Sequence, residues 1–303
     1  MLTDAHQHAW TASLVEALER RHRVPFVRRV GRLHTVHLAG ELPSAIDLAG
    51  EAPAERLALL AQDGVERALI ALPSTLGIEA LPRQESLALI GAHLDGVEAL
   101  GSAFDAWGPL PPDAIGPDDV DAVLVGGCAG VSLPAGAFAT PRALAALRPV
   151  LRRIEALDAA LFVHPGPGRG ETMPEASLAD PLWWPALTRQ VAQMQQAWLA
   201  LNVVACRAYP RLRVVFAMLA GGAPLLDERL QARGGPSQLR PDHLSFYDTS
   251  SYGPGAIEAM AVRVGEDQLV YGSDSVAPLP CEREWRLREN AGRLLGERAS
   301  VAA

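Results

Sequence analysis

The chain has 303 residues, with 27 basic and 35 acidic side chains and a net charge of −8. Hydrophobic residues make up 49% and charged residues 20%, which excludes a disordered chain and suits one large domain with a substantial core. Every basic residue is arginine, so a lysine Schiff base, a Walker A lysine and a carbamylated-lysine metal bridge are excluded. The acidic balance argues against nucleic acid as a partner.

Three widely spaced cysteines, Cys128, Cys206 and Cys281, predict neither a disulfide framework nor a cysteine-built zinc site. A reducing, cytoplasmic setting is therefore expected. The first 30 residues lack the apolar core of a signal peptide. The longest uncharged run, Ala122 to Pro141, is interrupted by glycine and proline, so no membrane helix is predicted.

Short apolar runs alternate with helical patterns along the whole chain. The predicted strands are Leu2–His8, Arg67–Pro73, Val97–Asp105, Ala129–Leu133, Leu161–His164, Leu212–Met218, Leu244–Thr249 and Gln268–Asp274. The predicted helices include Pro141–Leu157 with Thr140 as N-cap, Trp183–Cys206, Ala256–Val264 and Glu282–Leu295. Continuous apolar strands suit a parallel sheet covered on both faces. The pattern predicts a single (β/α)8 TIM barrel, with a doubly wound open sheet as the alternative.

The region Arg20–Leu48 interrupts this alternation. Its arginines and two histidines, His34 and His37, stand among alternating apolar residues, which is typical of a small β insertion. The insertion follows the first strand, and the loops after the strands build the active face of a barrel. We therefore expect residues 20–48 to lie over the mouth of the active site.

The sharpest chemical feature is the sequence Asp4-Ala5-His6-Gln7-His8. Alternate residues of a strand point to one face, so His6 and His8 project together, as two ligands of one metal ion must. Neutral imidazole is a good ligand for zinc and related divalent ions. The alternative is a chance pair of histidines near a terminus.

Two more candidate ligands end predicted strands. His164 closes Leu-Phe-Val-His before Pro165 and Gly166, and Asp274 closes Leu-Val-Tyr-Gly-Ser-Asp. A core histidine and a helix N-cap are the simpler interpretations of these two residues taken separately. Taken together with His6 and His8, they place three imidazoles and one carboxylate at three strand ends of one barrel, where active sites of this fold lie.

These motifs resemble a known family. Asp4-Ala5-His6-Gln7-His8, Phe162-Val163-His164-Pro165, Phe246-Tyr247-Asp248-Thr249-Ser250 and Tyr271-Gly272-Ser273-Asp274 are similar to motifs of the amidohydrolase-related metal enzymes. Within them, the branch that contains aminocarboxymuconate semialdehyde decarboxylase is the most similar. The resemblance runs from residue 4 to about residue 280 and implies a (β/α)8 barrel with one divalent ion, often zinc. It implies His6, His8, His164 and Asp274 as the ligands, and a homodimer.

One departure from the family concerns the sixth strand. The family has a histidine where this chain has Met218, just before Gly221 and Gly222. A thioether cannot accept a proton at neutral pH. Asp274 could then act as the general base, or His34 or His37 could reach in from the insertion, or the protein could have lost catalysis.

Further residues are candidates for substrate binding. Arg169 follows the fifth strand in Pro-Gly-Pro-Gly-Arg and could hold a substrate carboxylate. The other candidates follow or end strands, or belong to the insertion; they are Trp10, Met218, Ser250, Tyr252, His34 and His37.

Three functions follow from this site. The first is a metal-dependent hydrolase that acts on a small amide, ester or lactone through a metal-activated water, with Asp274 as the base. The alternative is a nonoxidative decarboxylase of a small carboxylic acid, as the relative named above suggests. The third is a noncatalytic metal- or ligand-binding barrel, against which four intact candidate ligands argue.

Overall fold

The computed structural model describes residues 3–31, 33–174, 177–205, 208–235, 243–274 and 284–296. Its strands are β1 (Thr3–Gln7), β2 (Phe26–Val30), β3 (Leu33–His37), β4 (Ser44–Ile46), β5 (Arg67–Ile70), β6 (Phe104–Pro109), β7 (Gly130–Pro134), β8 (Ala160–His164), β9 (Arg213–Phe216), β10 (Ser245–Asp248) and β11 (Leu269–Val270). Its α-helices are α1 (Ala12–Glu19), α2 (Pro53–Gln62), α3 (Arg83–Glu98), α4 (Pro117–Val125), α5 (Pro141–Ala146), α6 (Arg148–Ala156), α7 (Val191–Leu199), α8 (Asp227–Ala232), α9 (Pro254–Val264) and α10 (Glu284–Leu295).

Eight of these strands form one parallel sheet in the order β1-β5-β6-β7-β8-β9-β10-β11. Its two ends meet, because Ala5 N–H donates to the Tyr271 carbonyl at 2.8 Å and Asp274 N–H donates to the His6 carbonyl at 2.9 Å. The strands are almost fully buried, which explains their continuous apolar sequences. The predicted (β/α)8 barrel is confirmed.

Side chains fill the inside of this barrel. Trp107 from β6 is fully buried, donates its indole N–H to the Ala5 carbonyl at 2.9 Å and stacks on Phe162 from β8. On the outer face of the sheet, Phe216 and Tyr247 from β9 and β10 stack on each other, and the Trp198 indole N–H of α7 donates to the Tyr247 hydroxyl at 2.9 Å. Inward-pointing aromatic residues make the barrel a packed core, so chemistry is confined to its ends.

The predicted third strand, Val97–Asp105, exists but is placed too early, since the observed strand is Phe104–Pro109. Val97 belongs to the last turn of α3, and the strand begins at Phe104, after a turn in which Gly101 has a φ of 104°. The short pattern Val97-Glu98-Ala99-Leu100 fits a helix end as well as a strand, and only packing distinguishes the two.

The predicted helix Pro141–Leu157 is two helices. Thr140 is the N-cap as predicted, since its hydroxyl accepts the Ala143 N–H. The chain then breaks at Leu147 between α5 and α6, because Pro149 has no N–H to continue the first helix. The long helical region before Cys206 is α7 with π-helical turns at Ala186–Gln190 and Ala200–Val204; Cys206 itself lies outside the described residues.

The segment 20–48 contains the predicted small β insertion. Strands β2, β3 and β4 form an antiparallel sheet separate from the barrel. Val27 and Val36 are buried in a core that they share with Leu14 and Leu18 of α1. Its β3–β4 connection contacts the segment that follows β8, where the Arg189 guanidinium pairs with Glu41 at 2.6 Å. Within the described ranges, no helix is long and apolar enough to cross a membrane.

Candidate metal centre

Four side chains converge at the carboxyl ends of the barrel strands. His6 belongs to β1, His8 follows it, His164 ends β8 and Asp274 follows β11. The His8 Nε2 atom lies 3.1 Å from both the His6 Nε2 and the His164 Nε2 atoms. Asp274 Oδ1 lies 3.2 Å from His8 Nε2 and 3.5 Å from His6 Nε2. One ligand atom from each of the four side chains lies within 4.8 Å of the others.

The opposite nitrogen of each imidazole has its own acceptor. His8 Nδ1 lies 2.8 Å from the Ala71 carbonyl oxygen, and His164 Nδ1 lies 2.8 Å from the Pro165 carbonyl oxygen. A carbonyl only accepts, so each Nδ1 carries the hydrogen and each neutral Nε2 presents a lone pair. His6 Nδ1 is bound in the same way by Asp248 Oδ2, at 2.8 Å. This pattern of outer partners is typical of metal-binding histidines.

The donor set fits a divalent ion. Two lone pairs that face each other at 3.1 Å repel unless a proton or a cation lies between them. Ligand atoms bound at about 2.0–2.2 Å and near-tetrahedral angles stand about 3.3–3.6 Å apart. Four of the pairs here are 3.1–3.5 Å apart, and all lie within 4.8 Å. His6, His8, His164 and Asp274 could therefore hold one divalent ion. Their spacing suits zinc and other divalent transition-metal ions equally.

Charge coupling accounts for the protonation states of the cluster. Burial alone raises the pKa of the Asp274 carboxyl, but His6 and His8 outweigh burial and hold this pKa well below its usual range. Burial and the neighbouring His8 lower the pKa of His164 well below its usual value. Asp274 is thus a carboxylate and His164 a neutral imidazole, the forms that bind a metal ion.

The pKa of His6 predicts how the stability of the metal-free protein depends on pH. Burial alone lowers this pKa from 6.5, but Asp248 and Asp274 raise it to about 9. A histidine with a raised pKa stabilises the fold fully below its unfolded pKa and loses this contribution as pH rises through its folded pKa. We expect the unfolding midpoint of chelator-treated protein to fall between pH 6.5 and about 9, as measured by thermal denaturation.

A His6→Gln variant is the control, because it keeps the volume of the side chain and removes the titration. Its midpoint should stay flat over the same interval. The unfolding midpoint of metal-loaded wild type should rise over this interval, since metal binding requires deprotonated imidazoles. A rise in the midpoint of the metal-free wild type would contradict this account.

Asp248 is a further candidate site residue, to which we assigned no role from the sequence. Its side chain is fully buried at the end of β10, and Oδ2 accepts from His6 Nδ1. Its Oδ1 accepts backbone N–H groups from Met218 at 3.0 Å and Ser250 at 3.0 Å, and the Ser250 hydroxyl. Two signals in the sequence pointed to it: the motif Phe246-Tyr247-Asp248-Thr249-Ser250 and its place near the end of a predicted strand. Asp248 thus orients His6 and joins the ends of β9 and β10.

Met218 follows β9 and opens a left-handed turn. Residues 218–222 all have positive φ, from 49° to 73°, which is rare for the non-glycine residues Met218, Leu219 and Ala220. Asp248 Oδ1 holds the Met218 N–H, and the Gln195 side-chain amide donates to the Gly221 carbonyl at 2.9 Å. The left-handed turn is therefore anchored to the buried carboxylate that orients His6.

The remaining candidates for substrate binding lie in several places. Trp10 and His34 line a cavity of about 500 Å³ beside α1, and none of the four clustered residues is among the described residues that line it. His34 Nε2 lies 3.6 Å from Glu19 Oε1, and His37 stacks on Phe26.

Two other candidates follow strands on the barrel itself. The Arg169 guanidinium is 65% exposed and pairs with Asp113 at 3.1 Å, so it carries an acidic partner of its own. Tyr252 is half-buried after β10, and burial raises the pKa of its phenol.

The chain is thus a (β/α)8 barrel with a three-histidine, one-aspartate cluster of metal-ligand type at the carboxyl ends of its strands. No protein-family model matches the sequence, and no curated protein matches it significantly. Solved structures match over almost the whole chain, and three of them illustrate the range.

The IDCase of Metarhizium anisopliae, in its apo form, is 16% identical with a TM-score of 0.77, over 98% of this chain and 97% of that chain. The 5-carboxyvanillate decarboxylase of Novosphingobium aromaticivorans was solved in complex with manganese and 4-hydroxy-3-methoxy-5-nitrobenzoic acid. It is 15% identical with a TM-score of 0.68, over 98% of this chain and 96% of that chain. The 4-oxalomesaconate hydratase of Rhodopseudomonas palustris is 15% identical with a TM-score of 0.66, over 98% of this chain and 96% of that chain. The predicted resemblance is confirmed at the level of the fold.

Proposed function

We propose that this protein is a metal-dependent nonoxidative decarboxylase of a small carboxylic acid, related to the amidohydrolases. The observation that carries the proposal is the convergence of three imidazole Nε2 atoms and the Asp274 carboxylate, with each Nδ1 bound by its own acceptor. The decarboxylases among the solved structures with this fold support the choice over hydrolysis, which we expected first from the sequence.

The protonation of the cluster supports the same choice. Hydrolysis needs a side chain that takes a proton from water, and a carboxylate with a strongly lowered pKa is a poor base. In decarboxylation the bond between carbon and the carboxylate breaks, CO2 leaves, and the electron pair that stays on carbon takes up a proton. This reaction needs a proton donor but no base. The replacement of a family histidine by Met218 should therefore slow decarboxylation less than it slows hydrolysis.

His6, His8, His164 and Asp274 would hold the metal ion. When bound, a divalent ion supplies a Lewis acid that polarises a coordinated substrate oxygen. We assign to Asp274 the positioning of the solvent water that donates the proton, because its side chain is 31% exposed and a carboxylate with a lowered pKa accepts hydrogen bonds and carries no proton of its own. Its Oδ2 atom accepts the Ser251 hydroxyl at 3.0 Å, which turns this oxygen away from the imidazoles.

The test is an assay of purified protein loaded in turn with Zn²⁺ and Mn²⁺. Hydroxybenzoic acids and aliphatic keto acids are compared with neutral amides, esters and lactones. We expect CO2 release from a carboxylic acid, together with incorporation of one solvent deuteron at the carbon that loses CO2. Turnover of neutral substrates without CO2 release would contradict the decarboxylase and support a hydrolase. Metal analysis of the protein as purified decides between zinc, which we expected from the sequence, and manganese.

We propose that the insertion, residues 20–48, covers the mouth of the site and selects the substrate. Its β3–β4 connection joins the segment after β8 through the ion pair of Glu41 and Arg189 and lines a cavity of about 330 Å³ with Trp184. Deletion of the whole insertion would remove Val27 and Val36 from a buried core, so a point variant is the sharper probe.

We expect Arg189→Gln to change the ratio of kcat/KM values between a short and a long substrate by about fivefold, the factor that about 1 kcal/mol of ion pairing corresponds to. Metal content should stay unchanged. Steady-state kinetics on two substrates, beside metal analysis, measures both quantities. The control is Arg142→Gln, a change at an exposed residue of α5. An unchanged ratio in the Arg189 variant would count against a selective role for the insertion.

A further inference from the structure

A buried arginine lies behind the first two candidate ligands. Arg56 belongs to α2, and its side chain is only 1% exposed. Its Nη1 atom donates to the His8 carbonyl oxygen at 2.9 Å, and its Nη2 atom donates to Gln7 Oε1 at 2.9 Å. Burial lowers the pKa of this guanidinium, so its charge needs these partners. A guanidinium can hold both acceptors at once because its donors form a rigid planar fork.

Glu51 completes the arrangement. Its Oε2 atom accepts Arg56 Nη1 at 3.2 Å and the backbone N–H of Trp10 at 3.1 Å. One ion pair therefore holds the side chain of Gln7, the carbonyl of His8 and the amide of Trp10, where β1 ends and the chain turns away. Glu51 stands three residues after the insertion, so the same pair connects the insertion to the ligand strand.

The contacts continue to the opposite side of the cluster. The Gln7 side-chain amide donates to Asp4 Oδ2 at 2.9 Å. Asp4 is fully buried, and its Oδ1 accepts the His6 N–H at 3.0 Å and the Ser273 N–H at 3.1 Å. Ser273 precedes Asp274, whose own N–H donates to the His6 carbonyl at 2.9 Å. The network thus reaches the backbone of three of the four candidate ligands.

We propose that Arg56, held by Glu51, is a positioning residue that sets the geometry of the metal centre through the backbone of His8. The inference rests on the proposed metal centre. Arg56 touches no ligand atom of the cluster; it fixes the His8 carbonyl, and thereby the direction in which the imidazole leaves the chain. With Nδ1 bound to the Ala71 carbonyl, Nε2 then has one position relative to His6 and His164.

A merely structural ion pair would predict a different result. Loss of such a pair lowers stability and leaves metal affinity and the ligand field of the bound ion unchanged. Loss of a positioning residue weakens metal binding and changes the ligand field even in protein that remains folded. Co²⁺ distinguishes the two, because its visible absorption bands report the geometry of its ligands.

The experiment measures Co²⁺ affinity and the visible spectrum of the full chain for wild type, Arg56→Met, Arg56→Lys and Glu51→Gln. We expect Arg56→Met to bind Co²⁺ about 10–100-fold more weakly with altered bands, the range seen when outer partners of metal ligands are removed. Lysine keeps the charge but not the fork, so Arg56→Lys should lie between Arg56→Met and wild type. Glu51→Gln should show a smaller shift of the same kind.

Arg213→Met is the matched control. Arg213 is also a largely buried arginine, paired with Asp158 at 2.8 Å, but it stands at the start of β9, at the opposite end of the barrel. It should lose stability and keep the wild-type affinity and spectrum. If Arg56→Met fails to fold, the Co²⁺ affinity and spectrum of Arg56→Lys and Glu51→Gln decide the question. Wild-type affinity and spectrum in the folded Arg56 and Glu51 variants would overturn the positioning role. Wild type without Co²⁺ binding would instead overturn the metal centre on which this role depends.

Discussion

The doubly substituted protein His6→Ala/His8→Ala should lose stoichiometric metal binding. Both side chains come from one strand, and their Nε2 atoms are 3.1 Å apart, so the change removes half of the candidate ligand set from one side. A four-ligand protein site binds zinc with about 10–16 kcal/mol, so the loss of two ligands should weaken binding more than about a thousandfold. Metal analysis after equilibrium dialysis should fall from about one ion per chain to almost none.

His22→Ala is the control for this experiment, because His22 is exposed and lies in the insertion, next to Arg28. It should retain one ion per chain. Far-UV circular dichroism of both variants separates lost ligands from lost fold. Undiminished binding in the double variant would place the metal site elsewhere in the protein.

Asp274→Asn should abolish decarboxylation while the protein still binds part of its metal. The asparagine carbonyl can occupy the place of Oδ1, but the amide has neither the negative charge of the ligand nor a second acceptor oxygen for the donating water. Loss of assistance to proton transfer typically lowers the rate about 10²–10⁴-fold. The measurement is the rate of CO2 release per metal ion bound, so that a lost ligand and a lost acceptor for the donating water are counted separately.

Ser251→Ala provides the comparison. It removes the hydroxyl that donates to Asp274 Oδ2 at 3.0 Å and leaves the carboxylate in place, so we expect a much smaller loss. If metal-loaded Asp274→Asn works at the wild-type rate, another group positions the proton donor. His34→Gln and His37→Gln then become the next variants, although His34 faces Glu19 and His37 stacks on Phe26.

The barrel could be predicted from local patterns. Its buried parallel strands have apolar residues on both faces, so each strand stands out as a continuous run, and the alternation with helices specifies the class of fold. The errors occurred where short patterns are ambiguous. The run that begins at Val97 fits a strand and a helix end alike, and Pro149 divides a helix whose apolar spacing looks continuous.

The four candidate ligands could be predicted because they lie next to strand ends, and strand ends of a parallel barrel meet at one face. The sequence by itself therefore determined the barrel, the insertion after its first strand and the set of three histidines and one aspartate. Only the tertiary structure assigned roles to Asp248 and Arg56, since Arg56 belongs to no motif and the motif that contains Asp248 does not show which side chain it contacts. Their partners lie 242 and 48 residues away along the chain, at distances of 2.8 and 2.9 Å in space. Hydrogen bonds of this kind depend on how separate elements pack, which no window of sequence contains.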